Sequence, residues 1–380
     1  MLNREELEQL AAIPESDRFF FSLYLPIDPV NTPRHGAATI AKNLLREELQ
    51  RWEDSGQLDA ATMRRLTDKG NKLVQFVSLS RDAWRRGLII IASDEGSFLK
   101  EYDLAIPVSP RLVIDRRPAI QPLIQLFDDH EPFAAVLVDR RQARLFLVQM
   151  GEVMIYEHES SLEIDGKHKK GGWFALQQSK YARGIEKLVT IHLEEVIELL
   201  ADLLKRGSAN RIALGGPVEA VSQFETMLPP WMQQKVTAYL STELFRSDQN
   251  IVEQAQVFME QVERERENQL INEIITRVHK GDRAAVGIDD VLDSMVQGKV
   301  YRLAVTADFT QSGFSCPSCG ALFVRTAAKC PYCEAVPNPV ANIVELLVQQ
   351  AITQGVAVEI VPAGHPQLAP MGNIAAILRY

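Results

Sequence analysis

Cysteine is scarce and confined to one window: Cys316, Cys319, Cys330 and Cys333, with none elsewhere in 380 residues. A disulfide framework spread along the chain is therefore excluded. No stretch approaches the roughly 18 consecutive apolar residues of a membrane helix, and the start, MLNREELEQL, lacks the apolar region of a secretory leader. Both absences point to a cytoplasmic protein without a membrane partner. Net positive charge is also missing. At −9 the chain does not have the basic balance of a protein that coats DNA, so no DNA partner is expected. RNA met through a local basic patch stays possible, because phosphate would be repelled everywhere except at that patch. There is no Walker loop and no Gly-x-Ser-x-Gly elbow, and Gly215-Gly216-Pro217 is too short for a dinucleotide fingerprint. No internal repeat or low-complexity tract is visible.

What remains is a chain with 46% hydrophobic and 24% charged residues, enough to bury real cores, and a length that implies two or three domains. The pattern reads as α/β throughout. Apolar runs at Phe19–Pro26, Gly87–Ala92, Phe98–Ile106 and Arg111–Asp115 predict strands, and Ala37–Glu53 and Asp59–Ser80 predict helices. A charged, proline-ended join at 128–132 closes an N-terminal α/β domain, 1–130. A central domain, 131–278, opens with three strands at hairpin spacing and then alternates helix and strand. It ends in a highly charged helix, VERERENQ, whose residues read as a solvated face. The last domain, 279–380, is a small α/β sandwich.

The cysteines carry the sharpest motif. CPSCG and CPYC give the spacing C-x2-C-x10-C-x2-C, which sets two rubredoxin-like knuckles opposite each other. Four thiolates at that spacing predict a closed, structural Zn2+ site within a ribbon spanning 314–336, with iron as a competitor for an S4 set and two disulfides as the alternative.

A second motif is KHKKGGW, Lys167–Trp173, followed at once by a helical stripe at Tyr181, Ile185, Leu188, Val189, Leu193, Val196, Leu200 and Leu204. Lys167, His168, Lys169 and Lys170 are basic or can become so, and Gly171-Gly172 allow φ > 0 and close approach to a ligand. A basic loop feeding a helix N-terminus is suited to an anion, since the dipole and the free N–H groups both face it. Taken alone, Gly-Gly before a helix is equally a simple turn, and each lysine equally a solvated cation.

KHKKGGWFALQQSKYAR resembles the active loop of the class-1 peptide chain release factor superfamily of archaea and eukaryotes, which includes the rescue factor Pelota. Gly171, Gly172, Ala175 and Leu176 match its Gly-Gly-Gln and Ser-Ala-Leu pattern, and Lys180 and Arg183 match basic positions of its helix. Trp173 stands where the family has glutamine, and Phe174 where it has serine. Gly215–Asp248 resembles the end of the family's central domain, and the terminus GNIAAILRY its Gly-Gly-Ile-x-x-Ile-Leu-Arg-Tyr ending. The likeness implies a bacterial-type relative with a ribonuclease-H-like central domain, a C-terminal α/β sandwich like kink-turn-binding proteins, and a zinc ribbon inserted in it.

The resemblance further implies a ribosome-associated release or rescue factor whose partners are large-subunit RNA and peptidyl-tRNA, with a translational GTPase as a candidate for delivery. Gly171, Gly172 and Trp173 would occupy the catalytic position. Lys167, His168, Lys169, Lys170, Lys180, Arg183 and Lys187 would contact RNA. Hydrolysis of the peptidyl-tRNA ester needs a donor at the developing oxyanion, and the Trp173 N–H keeps the main-chain donor while the carboxamide oxygen is lost. Its indole equally suits stacking in a non-catalytic binding or protective factor. A weaker alternative is a nuclease acting on the tRNA acceptor end. The codon-reading motifs of the family's first domain are absent from 31–42, NTPRHGAATIAK, so codon recognition is not carried over.

Overall fold

A computed structural model describes residues 4–27, 36–79, 85–159, 174–206, 209–240 and 247–379, with the backbone alone at 157–159, 174–183, 248–249 and 252. The N-terminal segment contains α1 (Arg4–Ala11), β1 (Phe20–Pro26), α2 (Gly36–Ser55), α3 (Ala60–Leu79), β2 (Gly87–Ser93), β3 (Leu99–Leu104), β4 (Arg111–Asp115) and α4 (Gln121–Asp129). Its strands form an antiparallel sheet of order β3-β2-β1-β4. Residues on one side of that sheet, Phe21, Leu23, Leu25, Leu88 and Ile90, meet Leu45, Trp52, Leu66 and Leu73 of α2 and α3. Gly70 lets the two helices close up: a Cβ there would lie 2.3 Å from a Leu45 methyl.

The central segment runs β5 (Phe133–Val138), β6 (Gln142–Gln149), β7 (Glu152–Glu159), α5 (Phe174–Arg206), β8 (Arg211–Gly215), α6 (Val218–Met227), α7 (Pro230–Gln233), β9 (Val236–Leu240) and α8 (Asp248–Lys280). Its sheet has the order β7-β6-β5-β8-β9, with antiparallel hairpins first and parallel strands after. Met150 and Gly151, with φ of 49° and 76°, make the tight β6–β7 turn. Alternation along the strands divides the core in two. Val189, Leu193, Val196 and Leu200 of α5 pack with Val136, Leu145 and Leu214, while Ile251, Ala255 and Met259 of α8 pack with Ala135, Leu137 and Phe146.

The C-terminal segment contains β10 (Ala284–Val286), α9 (Ile288–Val296), β11 (Val300–Thr306), β12 (Gly313–Ser315), β13 (Leu322–Phe323), β14 (Asn338–Val340), α10 (Ile343–Thr353), β15 (Ala357–Val361) and β16 (Ile374–Leu378). A mixed sheet of order β10-β16-β11-β15 supports it, and β13-β12-β14 form a small separate sheet around the cysteines. Leu270, Ile271 and Ile274, from the last part of α8, pack on Ala304, Ala375 and Ile377.

Residues 1–128 and 266–380 form one compact unit, and 129–265 another. The first unit is pinned along a polar seam. Glu345, on the first turn of α10, accepts the N–H groups of Ile120 (2.5 Å) and Gln121 (3.2 Å). The Gln349 amide donates to Pro118 O, Tyr24 donates to Ala119 O, and Ser22 accepts from Ala119 N. Burial raises the pKa of the Glu345 carboxyl, against the opposing pull of those N–H groups.

One expectation is corrected here. The charged stretch of α8 is not a solvated face throughout, because Glu263 and Glu267 are each only 5% exposed. Arg211 at the start of β8 is buried as well and pairs with both Glu263 and Glu131, the latter at 2.7 Å. Charge density along a helix cannot reveal a partner 52 residues upstream.

Candidate metal centre and basic helix

Two six-residue turns build the cysteine site. In 316–321 the Cys316 N–H donates to Ala321 O (2.9 Å) and the Gly320 N–H to Cys316 O (2.9 Å). In 330–335 the Cys330 N–H donates to Ala335 O (2.8 Å) and the Glu334 N–H to Cys330 O (3.0 Å). Each turn needs a positive φ after its second cysteine, supplied by Gly320 (73°) and, unusually for a side chain-bearing residue, Glu334 (62°). The two knuckles are thus the same local structure used twice.

All four cysteines are free thiols, and their Sγ atoms lie within 4.8 Å of one another. Cys316 and Cys333 are 3.3 Å apart, and Cys319 and Cys330 3.7 Å. A tetrahedral ion with metal–sulfur bonds of about 2.3 Å holds its ligands about 3.8 Å apart, so the set has the size an S4 site requires. Its electrostatics agree. The backbone N–H of Cys319, followed by that of Ser318, holds the Cys316 thiol down to about 6. The Ala321 N–H pulls Cys319 the same way, but burial and proton sharing with its neighbour thiols push it up to about 12. Protons held by such a cluster are what a divalent cation displaces. Cys316, Ala321, Phe323 and Cys330 make a small buried apolar cluster, with Phe314, Ala327 and Ala335 packed against it. Tyr332, in the second knuckle, donates to Asp293 (2.5 Å) and ties the module to α9.

The basic loop is a different matter. Lys167, His168, Lys169, Lys170, Gly171, Gly172 and Trp173 lie outside the described residues. The helix expected after them is present as α5, beginning at Phe174 and running 33 residues. On its backbone, positions 180, 183 and 187 fall at i, i+3 and i+7 and share one face. Lys187 is exposed. Beside it Glu186 pairs with Arg140 of the β5–β6 turn, a cation not assigned a role from sequence because an Arg-Arg-Gln turn between strands carries no distinctive spacing. In that turn Asp139 accepts the N–H groups of Arg141 and Gln142, both at 2.7 Å, which gives its carboxylate a structural use.

The chain aligns along nearly its whole length with archaeal peptide chain release factor subunit 1. The protein of Archaeoglobus fulgidus is 23% identical over 409 residues, covering 99% of this chain and 96% of that one. That of Methanocaldococcus jannaschii is 22% identical over 424 residues, with 100% and 97% covered. Among solved structures, an archaeal translation termination factor is 18% identical over 99% of this chain and 96% of that chain, with a TM-score of 0.27. A Saccharomyces cerevisiae translation termination-like factor is 14% identical over 74% and 73%, with a TM-score of 0.42. Scores this low carry no structural argument.

The chain is a relative of the archaeo-eukaryotic release factor superfamily. More narrowly, residues 118–266 match the model of bacterial archaeo-eukaryotic release factor family 10.

Proposed function

We propose that the protein is a ribosome-associated release or rescue factor that presents the 167–173 loop to the acceptor end of peptidyl-tRNA. The observation that carries this reading is the end-to-end alignment with archaeal release factor subunit 1. The Gly171-Gly172 pair, one residue ahead of α5, supports it. A central sheet that begins as antiparallel hairpins and continues in parallel fits a ribonuclease-H-like domain, 131–278. Lys180, Arg183 and Lys187 would meet phosphates from one helical face, and Lys167, His168, Lys169 and Lys170 from the loop. Phosphate contacts of this kind orient a factor without reading sequence.

The donor set favours zinc as the ion held by Cys316, Cys319, Cys330 and Cys333, as thiolates prefer zinc or iron and closed S4 sites are structural. When bound, it would cross-link the two knuckles and supply no reactive position.

Trp173 separates two chemistries on one binding mode. Its N–H can donate to a developing oxyanion as any non-proline residue can, while its indole adds a stacking surface worth about 1–3 kcal/mol. Release of labelled peptide from stalled 70S complexes, with ribosome cosedimentation alongside, tests both. Wild-type release that Trp173→Gln diminishes supports hydrolysis. Binding without release, with Trp173→Gln gaining hydrolysis, supports a protective factor. Absence of both cosedimentation and release overturns the proposal.

A further inference from the structure

Where β4 ends, the N-terminal and C-terminal segments of the first unit leave a cleft of about 380 Å3, within the size range of small-ligand pockets. Arg116 and Arg117 line it on one side. Trp52, Leu58, Val340 and Leu346 supply its apolar surface, the last two from β14 and α10. Nothing in the proposed ribosomal role uses this cleft.

The arginines are incompletely satisfied. Arg117 Nε is buried and has no hydrogen-bond acceptor. Its Nη2 reaches only 3.6 Å from Glu15, and Arg116 Nη1 only 3.6 Å from Asp17, both longer than a hydrogen bond. Asp17 is fully exposed, so that pair is weak. The Arg116 guanidinium instead lies over the Phe19 ring, 5.6 Å from its centroid. Asp115, the remaining acid in the cleft, already has one oxygen occupied by the Arg116 N–H at 2.6 Å. A buried guanidinium N–H without an acceptor is costly, and the Arg117 side chain, 25% accessible where it lines the cleft, has donors beyond that Nε to offer an incoming oxyanion. Two adjacent forks offer more donors than a carboxylate has oxygens, which favours phosphate. The apolar wall then favours a flat organic body over the bare ion.

We infer that this cleft binds a mononucleotide-class organic phosphate, its phosphate held by Arg117 and Arg116 and its base against the Trp52–Leu58–Val340 wall. Calorimetric titration of the full chain with AMP and UMP, and with inorganic phosphate and adenosine as partial probes, tests it. Saturable binding of one AMP or UMP per chain is expected, with neither partial probe matching it. Arg117→Gln should weaken it about tenfold or more, the loss of one charge-assisted contact. Arg206→Gln, on α5, should leave it unchanged. Should Arg117→Gln misfold, hydrogen exchange on the wild type decides: AMP must protect 115–117 and 338–341. No saturable binding, equal binding by inorganic phosphate, equal binding by Arg117→Gln, or protection confined to other segments each overturns the inference.

Discussion

Glu345 illustrates how far one residue's behaviour departs from its place in the sequence. On α10 it occupies the first turn, where an acid is favourable, and nothing nearby distinguishes it from a solvated glutamate. In the fold it is buried and serves two N–H groups more than 220 positions away, those of Ile120 and Gln121. Because its folded pKa is raised above 4.5, the stabilisation is fully present below about that pH and is lost as pH climbs through the raised value. Glu345→Gln should flatten that dependence and match or exceed wild type at neutral pH. Glu345→Ala, which orphans both donors, should cost about 1–3 kcal/mol. Denaturant midpoints measured across pH for the three proteins check this; a wild type that gains stability over that rise would contradict it.

At the scale of elements, the Gly215-Gly216-Pro217 turn shows a glycine pair that close packing requires. Gly216 has φ of +129°, and a Cβ there would lie 2.2 Å from Val138 O at the end of the neighbouring strand β5. Gly216→Ala should therefore destabilise the 129–265 unit by about 1–3 kcal/mol. Gly56 also has a positive φ, but open space surrounds it, so Gly56→Ala should cost less. Urea titration of both variants checks the order. The strands and helices themselves were largely legible from periodicity: the strand expected at 111–115 is present with those bounds, and the helix expected at 37–53 spans Gly36–Ser55. β9, with its half-exposed pattern, and the two- and three-residue strands around the cysteines were not, because such short segments owe their pairing to distant partners.

For the whole molecule, two compact units and the small cysteine module, if it holds the proposed zinc, predict independent responses. Chelation, or Cys316→Ser with Cys330→Ser, should abolish stoichiometric zinc and strip hydrogen-exchange protection from 313–340, since that cluster is too small to persist uncross-linked. Residues 133–148 and 189–204 should keep theirs, as both belong to the core of the 129–265 unit. Exchange measured by mass spectrometry on the metal-loaded and stripped protein checks it; equal loss in both regions would contradict it.

Sequence by itself determined what depends on neighbours along the chain. Helix stripes such as Val189 to Leu200, apolar strands such as Gly87–Ser93, and the paired Cys-Pro-x-Cys turns are all local patterns. Tertiary structure alone decided that 1–128 and 266–380 share one unit, that Arg211 neutralises Glu263, and that Arg116 and Arg117 face a cleft walled in part by β14. The reason is physical. Periodicity records which face of an element is apolar, whereas the partner that a buried charge or an open guanidinium meets is set by segments far apart along the chain, 52 residues for Arg211 and Glu263 and more than 220 for Glu345 and Ile120.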